Sequence, residues 1–424
     1  MFRSPTSRVL AALALGLALG AWVKYLGNPA LTEAALVGKA IGGLWLNALK
    51  MTIVPLVFSL LVTGVAGMSD AAATGRLAFR AVVLFTVLIL AGAVYSMAAT
   101  SGIMALWPVN PDSFAALKAS LPTAAPVGQV AGADITQFLA SISPGNPIKA
   151  AAEDAILPLV IFAGFLGFAI TRLKPDSRGP LFNLFQAMGE AMVVIVHWVL
   201  LAAPIGVFGL SLGVGLEAGV AAATTIFHYV AVVILVQLGI TLVPYVLIAV
   251  FKPYMLGRFI AAVAPVQALA VSTQSSLACL PAMLDQARGP LGVSKRVADL
   301  ILPLAVAIFR LTSPVANLAV VFFLINLYGV HPSLGQMAAA ALVALAVAVG
   351  SVGLPGQVSF MASVGPICLA LGVPVELLGI FLAVEVLPDI FRTVGNVTGD
   401  LGVTVLLADR EDIDASPHEE AALD

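Results

Sequence analysis

The stretch STQSSLACLP (272–281) interrupts an apolar segment that runs from residue 257 to residue 290. The stretch GSVGLPGQVSF (350–360) interrupts a second apolar segment, 334–372, and a long apolar segment follows each of the two. Irregular backbone is tolerated inside a membrane only where it is buried in protein or lines a cavity, and paired interruptions are typical of inverted repeats. The pattern predicts two re-entrant hairpins. The alternative is two spanning helices kinked at Gly and Pro residues. It stays open because two additional spans would leave both chain ends on the same sides of the membrane, so the distribution of basic residues cannot exclude it.

The composition places nearly the whole chain in a lipid bilayer. Of its 424 residues, 61% are hydrophobic and 10% are charged, whereas soluble domains carry about 25% charged residues. Apolar stretches of spanning length recur along the chain, and none alternates with the period of two of a membrane barrel. The sequence predicts an all-α polytopic membrane protein with eight transmembrane helices in addition to the hairpins. The predicted spans are 8–26, 41–68, 77–106, 150–173, 183–214, 220–251, 296–329 and 374–408.

Basic residues set the orientation of these spans through the positive-inside rule. With a cytoplasmic N-terminus, the outer side receives Lys24, Lys39, Lys118 and Lys149, and the inner side receives most of the others. We therefore expect a multi-pass protein of the inner (cytoplasmic) cell membrane with both termini in the cytoplasm. The first apolar stretch is interpreted as a retained helix rather than a cleaved signal peptide.

Several classes of function find no support in the sequence. The net charge of -2 gives no indication of a nucleic-acid partner. Cys279 and Cys368 form neither a metal-binding pattern nor a disulfide framework. His197, His228 and His331 lack partners at the spacing of a metal site or a catalytic triad. The sequence therefore predicts no cofactor, no metal centre and no enzymatic activity.

The stretch VLPDIFRTVGNVTGD (386–400) carries a polar stripe inside an apolar segment. On a helix, its polar residues at i, i+3, i+4, i+7 and i+11 share one face. A structural ion pair between two of them is one interpretation, but ionisable residues within a membrane are by default candidates for function. The functional interpretation is favoured because the stripe exceeds what one pair needs. Its members are Asp389, Arg392, Thr393, Asn396 and Asp400.

The chemistry of the stripe suits an acidic amino acid. Arg392 can clamp a carboxylate through two parallel hydrogen bonds, and Asp389, one turn away, can meet an ammonium group. At the first interruption, Ser275 and Ser276 offer hydroxyl groups and backbone N–H groups to a main-chain carboxylate. A transported zwitterion with an extra carboxylate is the ligand that these groups indicate.

Five stretches together resemble the dicarboxylate/amino acid:cation symporters, the family of glutamate and neutral amino acid transporters. They are RTVGNVTGD (392–400), SSLACLP (275–281), GLPG (353–356), MTIVPLVFSLLVTGVAGMSD (51–70) and LLAAPIGVFGL (200–210). The resemblance covers nearly the whole chain and implies a homotrimer of elevator-type transporters with eight spans and two hairpins. It divides the chain into scaffold helices (1–76 and 183–256), a third helix, external loop and fourth helix (77–182), a transport core (257–408) and an acidic cytoplasmic tail (409–424).

The resemblance also implies roles for individual residues. Asp389 would bind the substrate amino group and Arg392 its acidic side chain, while Thr393 and Asn396 would surround the substrate backbone. The hairpin tips would contact the main-chain carboxylate, and Asp400 would match a sodium ligand. Substrate-binding residues expected at the tips and in the seventh span are Ser275, Ser276, Ser313, Gly353, Pro355 and Gly356.

The sequence departs from the family pattern where sodium would bind. Phe309, Arg310, Leu311, Thr312 and Ser313 stand where the family usually has Asn-Met-Asp-Gly-Thr in the seventh span. In the third span, hydrophobic residues replace a Tyr-Thr-Ser group. These replacements are Phe85, Leu88 and Ile89.

Arg310 is interpreted as a built-in cation that neutralises Asp400 or Asp389 and makes transport independent of sodium. Coupling would then use protons, through Glu385, Asp389 or Asp400, or be replaced by exchange. A sodium-coupled symporter of dicarboxylates or amino acids is the main alternative, and an anion-conducting channel is a remoter one. The sequence does not separate aspartate, glutamate and C4-dicarboxylates.

Overall fold

The computed structural model describes residues 5–73, 75–119, 145–153, 156–218, 221–350, 356–410 and 413. Within these ranges the regular secondary structure is helical, apart from one isolated antiparallel bridge between Val293 and Ile413. The first half contains α1 (Pro5–Leu26), α2 (Pro29–Ala73), α3 (Arg76–Leu106), α4 (Pro111–Ala119), α5 (Pro147–Ala152), α6 (Ile156–Thr171), α7 (Pro175–Leu201) and α8 (Ala203–Ala218). The predicted all-α class is confirmed.

The second half of the chain contains the interrupted segments. Its elements are α9 (Ala221–Thr241), α10 (Val243–Phe251), a 3-10 turn (Pro253–Met255), α11 (Leu256–Thr273), α12 (Leu280–Arg288), α13 (Lys295–Ile308), α14 (Thr312–Tyr328), α15 (Leu334–Gly350), α16 (Gly356–Ala370), α17 (Leu378–Val384) and α18 (Val386–Leu407). Helix α14 is buried along almost its whole length, and α18 is buried over most of its residues. These two helices form the centre of the molecule.

Seven helical stretches in the described ranges are long and apolar enough to cross a membrane. They confirm a polytopic membrane protein, although the predicted count of eight is not reproduced by length and hydropathy. The predicted span 150–173 contains an apolar helix of only 14 residues, Pro158–Thr171. The predicted span 374–408 is absent from the seven because Glu385 separates α17 from α18 and the polar stripe lowers its hydropathy. The seven stretches are Arg8–Leu26, Pro29–Ala66, Arg76–Leu106, Pro175–Leu201, Ala222–Phe251, Pro253–Thr273 and Lys295–Tyr328.

Several predicted spans consist of two helices. Helix α7 ends at Leu201 and α8 begins two residues later, just before Pro204, and α9 and α10 separate at Leu242, just before Pro244. Proline lacks the N–H group that a helix interior requires, so each of these breaks falls close to a proline. The external loop predicted between the third and fourth helices contains α4 at its start, and residues 120–144 lie outside the described residues.

Glycines bring the early helices into direct backbone contact. A Cβ atom added to Gly20 of α1 would lie 2.2 Å from the carbonyl oxygen of Leu212 in α8, and one added to Gly42 of α2 would lie 2.4 Å from the backbone nitrogen of Leu210. Small residues at such contacts let membrane helices associate through close packing, which matters because lipid supplies little hydrophobic force between them. The contact between α1, α2 and α8 is therefore intolerant of side chains at these positions.

The first interrupted segment enters and leaves at the same end of α18. Lys252, just before it, donates a hydrogen bond from Nζ to the carbonyl oxygen of Val405 at 2.8 Å, near the end of α18. Val293, just after it, pairs with Ile413, beyond the same end. Between them, α11 and α12 are joined by a turn that starts at Gln274, whose φ of 50° is left-handed. This geometry is that of a chain that turns back, as the interruption predicts.

The second interrupted segment consists of α15 and α16, which pack against each other and against α14. Its tip, residues 351–355, lies outside the described residues. The predicted contacts of Gly353 and Pro355 therefore stay predictions. Gly356 is the first residue of α16.

Candidate functional site

The predicted polar stripe lies on α18 and is buried. Asp389 has 8% of its surface exposed, Arg392 2% and Asp400 none, and Thr393 and Asn396 are also buried. Because α18 packs against α9, α11, α13 and α14, these groups face other helices rather than lipid.

Arg392 lies between two carboxylates. Its Nη1 donates to Oδ1 of Asp389 at 3.1 Å, and its Nη2 pairs with Oε1 of Glu385. The predicted pair of Asp389 and Arg392 is present, and the structure adds Glu385 to it. Removing one partner of a buried ion pair leaves an uncompensated charge that costs about 3–5 kcal/mol. Nε of Arg392 is buried and has no hydrogen-bond partner among the described residues, so a ligand carboxylate can bind there or replace one of the two acids.

Tyr229 is a member of this group that sequence reasoning missed. Its buried ring stacks on Phe381 with a centroid distance of 3.8 Å and contacts Phe323 edge-on at 5.5 Å. The hydroxyl lies near Glu385 and has no hydrogen-bond partner among the described residues. A single tyrosine in an apolar span resembles an interfacial anchor, so only the packing of α9 against α18 reveals this placement.

Asn396 ties α18 to the start of α14. Its Oδ1 accepts hydrogen bonds from the Thr312 N–H at 2.9 Å and from the Thr312 hydroxyl at 2.7 Å, and its Nδ2 donates to Ser313 Oγ at 3.2 Å. The Thr312 hydroxyl can instead donate to the carbonyl oxygen of Arg392 at 2.8 Å. The predicted residues Asn396 and Ser313 are thus brought together, and the side-chain amide of Asn396 makes its hydrogen bonds to Thr312 and Ser313.

The approach of Thr312 to α18 depends on Gly395. A Cβ atom at this position would lie 2.5 Å from Thr312 Cγ2 and 2.6 Å from Thr241 Oγ1. We expect Gly395→Ala to lower the free energy of unfolding by about 1–3 kcal/mol, the usual cost of overpacking, measured by thermal unfolding in detergent. Gly102→Ala is the matched control, because nothing lies within 4 Å of a Cβ there. Equal stability of the two variants would contradict the close approach.

Residues 309–311 separate α13 from α14, so the seventh predicted span is interrupted. Arg310 has a φ of 35°, a left-handed conformation that costs a non-glycine residue energy. Gly399 of α18 faces this break, since a Cβ there would lie 3.1 Å from Leu311 Cβ. The break adjoins the polar stripe and falls at the positions where the sequence departs from the family pattern.

The two departures from the family pattern lie against each other. Phe309 at the break stacks on Phe85 of α3, with ring centroids 4.7 Å apart and an interplanar angle of 25°. Both side chains are buried. Aromatic packing thus occupies the space between the third span and the break, and neither ring offers an oxygen ligand.

Asp400 and Arg310 form the second charged part of the site. Asp400 is fully buried, and neither of its carboxylate oxygens has a hydrogen-bond partner among the described residues. Arg310 is half-buried and lies within electrostatic range of Asp400, Asp389 and Arg392. A buried carboxylate without donors needs a nearby positive charge or a proton, and Arg310 is the cation that the chain places there.

The turn between α11 and α12 approaches the Asp400 end of the stripe. Ser275 and Ser276 are half-buried in this turn, and their carbonyl oxygens accept from the Cys279 N–H at 3.2 Å. Cys279 lies within electrostatic range of Asp400. The predicted tip residues are therefore close to the stripe. In the described ranges, no three His, Cys, Asp or Glu side chains converge as metal ligands would.

An interrupted seventh span, a segment that turns back and a buried Asp/Arg stripe define a membrane transporter. Residues 6–410 match the Sodium:dicarboxylate symporter family, and the chain belongs to this family, whose members are transporters and not enzymes.

Two relatives align over 95% of the chain. One is the C4-dicarboxylate transport protein of Azorhizobium caulinodans, with 26% identity over 87% of that protein. The other is the proton/glutamate-aspartate symporter of Escherichia coli, with 25% identity over 91% of that protein.

Proposed function

We propose that the protein is a secondary active transporter of the acidic amino acids aspartate and glutamate. The observation that carries this proposal is a guanidinium and a carboxylate one turn apart on a buried helix face. Arg392 would bind the side-chain carboxylate of the substrate, and Asp389 would bind its ammonium group. Asp389 suits this role because its side chain is 11% exposed, against 1% for Glu385. The relative from Escherichia coli carries the name of such a substrate.

Glu385 supports coupling to protons. In the structure Glu385 pairs with Nη2 of Arg392, and we infer that an entering substrate carboxylate takes its place. A buried carboxylate that loses its counter-ion is stabilised by binding a proton. One acidic substrate and one proton therefore bind together. Tyr229, held by its aromatic neighbours, offers its hydroxyl to the displaced Glu385.

The stack of Phe85 on Phe309 supports independence from sodium. Sodium requires several oxygen ligands, and these rings replace oxygen-bearing residues of the family pattern with apolar surface. Arg310 supplies positive charge near Asp400 without an added ion. Transport is then driven by protons or proceeds by exchange of internal for external substrate.

One observation favours a second candidate, a sodium-coupled symporter of dicarboxylates or amino acids. Both carboxylate oxygens of Asp400 lack hydrogen-bond donors among the described residues, and α18 packs at Gly399 against the break at 309–311. Carboxylate and carbonyl oxygens are the ligands that hard cations prefer. The name of the Azorhizobium caulinodans relative agrees with a C4-dicarboxylate substrate.

The proposed architecture is that of an elevator-type homotrimer with eight spans and two re-entrant hairpins. The turned-back segment of α11 and α12 supports the first hairpin, and the packing of α15 on α16 supports the second. The glycine-lined contact of α1, α2 and α8 suits a rigid scaffold, and residues 257–408 would be the transport core. Both termini would lie in the cytoplasm of a cell whose inner membrane holds the protein.

Radiolabelled aspartate uptake into proteoliposomes tests the function, with sodium and proton gradients imposed separately. We expect saturable uptake that an inward proton gradient stimulates and that is unchanged when choline replaces sodium. Succinate, which lacks an amino group, should compete weakly with aspartate, because it leaves Asp389 without a partner.

Each alternative has its own outcome in the same experiment. Steep dependence on sodium would mean that backbone carbonyls still assemble ion sites and would favour the second candidate. Flux that does not saturate would indicate an anion channel. Uptake that requires internal aspartate but no proton gradient would indicate exchange instead of proton coupling.

A further inference from the structure

Gln237 of α9 is a buried polar residue that the proposed mechanism does not use. It lies near the middle of the apolar stretch Ala222–Phe251, and none of its surface is exposed. Neither Nε2 nor Oε1 of its side-chain amide has a hydrogen-bond partner among the described residues. A buried amide in this condition has lost its hydration without gaining hydrogen bonds in exchange. Its presence inside a spanning segment therefore calls for a partner that the empty protein does not supply.

Contacts on both sides of Gln237 show which helix it faces. Two turns before it, the ring of Tyr229 stacks on Phe381 of α17, just before α18. One turn after it, Thr241 Oγ1 would lie 2.6 Å from a Cβ atom on Gly395 of α18. Residues at intervals of four lie on the same side of a helix. Because Gln237 lies between these two contacts on that side of α9, it also faces α18.

The same contacts give the level at which Gln237 meets α18. The helices α9 and α18 run in the same direction, because Tyr229 contacts the chain before α18 and Thr241 contacts Gly395. Arg392 lies about one turn before Gly395, and Gln237 lies one turn before Thr241, so these two residues are at the same level. Helical side chains lean toward the N-terminus of their own helix, which displaces the amide and the guanidinium in the same direction.

Arg392 has a group at this level that is also unused. Its Nη1 and Nη2 pair with Asp389 and Glu385, whereas its Nε is buried and has no partner among the described residues. The Nε–H group of an arginine is a donor, and Oε1 of a glutamine is an acceptor. Buried groups of opposite hydrogen-bonding character thus lie without partners on two facing helices, and Nε2 of Gln237 is left as a further donor.

We propose that Gln237 is a substrate ligand which, together with Arg392, binds the side-chain carboxylate of the transported acid. Nη2 of Arg392 donates to one carboxylate oxygen, and Nε2 of Gln237 donates to the other. Oε1 of Gln237 accepts from the Nε–H group of Arg392 and orients the guanidinium. This arrangement satisfies the three groups that the empty protein leaves without partners. The inference rests on the proposed function, and it adds α9 to the helices that form the site.

Aspartate binding to the purified protein tests the proposal, measured by isothermal titration calorimetry in detergent. The variant is Gln237→Leu, which keeps a side chain of similar size and removes both polar groups. We expect the Kd for aspartate to rise about tenfold or more, since a hydrogen bond to a charged group is lost. The melting temperature of the ligand-free variant should be equal or higher, because the removed groups have no partner in the described protein.

Gln267→Leu is the matched control. Nε2 of Gln267 donates to Tyr245 Oη and to Thr398 Oγ1, both at 2.9 Å, so this amide already has its partners within the protein. The control substitution should lower the melting temperature and leave the Kd for aspartate unchanged. The two glutamines are thus expected to show opposite effects on stability and on binding.

The outcomes separate this inference from the proposed function. An unchanged Kd in Gln237→Leu would overturn the inference alone, and a large fall in its melting temperature would assign Gln237 a structural role instead. Wild-type protein that binds succinate but neither aspartate nor glutamate would contradict the proposed substrate, and the same comparison made with succinate would then decide the role of Gln237. Wild-type protein that binds none of these acids would overturn both.

Discussion

Arg392→Gln is expected to abolish uptake of acidic amino acids, with a loss of about 100-fold or more. Arg392 is the guanidinium that a substrate carboxylate would meet, and a hydrogen bond to a charged group is worth about 1.5–3 kcal/mol. Losing two such bonds corresponds to a loss of uptake of more than 100-fold, since each 1.4 kcal/mol corresponds to a factor of ten. Initial rates of radiolabelled aspartate uptake measure the effect.

The same substitution should also destabilise the protein. Glu385 and Asp389 would be left buried without the cation that both contact, and an uncompensated buried charge costs about 3–5 kcal/mol. The double variant Glu385→Gln/Arg392→Gln removes one of these charges and should recover most of the thermal stability without recovering uptake. This separation distinguishes a substrate ligand from a purely structural ion pair. Recovery of uptake together with stability would assign Arg392 a structural role.

Arg310→Met is expected to lower uptake about tenfold or more. The substitution keeps a long side chain but removes the positive charge that lies within range of Asp400 and Asp389. Asp400 is fully buried and has no hydrogen-bond donor among the described residues, so the loss of the cation leaves its charge uncompensated. Uptake and thermal unfolding of the same preparation report the two consequences.

The charge-neutral pair provides the control. Arg310→Met/Asp400→Asn removes the cation and the carboxylate together and should regain stability and a large part of the uptake. If the single variant transports normally, Arg310 is not the internal cation. If the double variant is no better than the single one, Arg310 acts on a partner other than Asp400.

Hydropathy and residue spacing were sufficient for much of this molecule. The polar stripe on α18 follows from helical periodicity alone, and the turn at Ser275 follows from polar residues in an apolar segment. The stripe and the turn depend on neighbours in the sequence, which is why the sequence predicts them. Prolines 204 and 244 mark the positions where the spans 183–214 and 220–251 divide, a local signal that the prediction of two undivided spans left unused.

The parts that sequence could not predict depend on distant contacts. Tyr229 reaches Glu385 only because α9 packs against α18, and nothing near residue 229 indicates this. The stack of Phe85 on Phe309 joins residues in two helices far apart in the chain. Glu385 could be suspected of a coupling role, but its pairing with Arg392 appears only in the structure.

The charges around α18 also determine how a voltage across the membrane acts on the protein. Glu385, Asp389 and Asp400 face Arg310 and Arg392, so these five side chains carry a net charge of −1 when all are ionised. A membrane potential contributes about 2.3 kcal/mol per elementary charge per 100 mV. In the proposed coupling, one acidic substrate and one proton together add no net charge, so the loaded and the empty site would experience the same electrical work. Voltage would then act equally on both states and would not favour accumulation of the substrate.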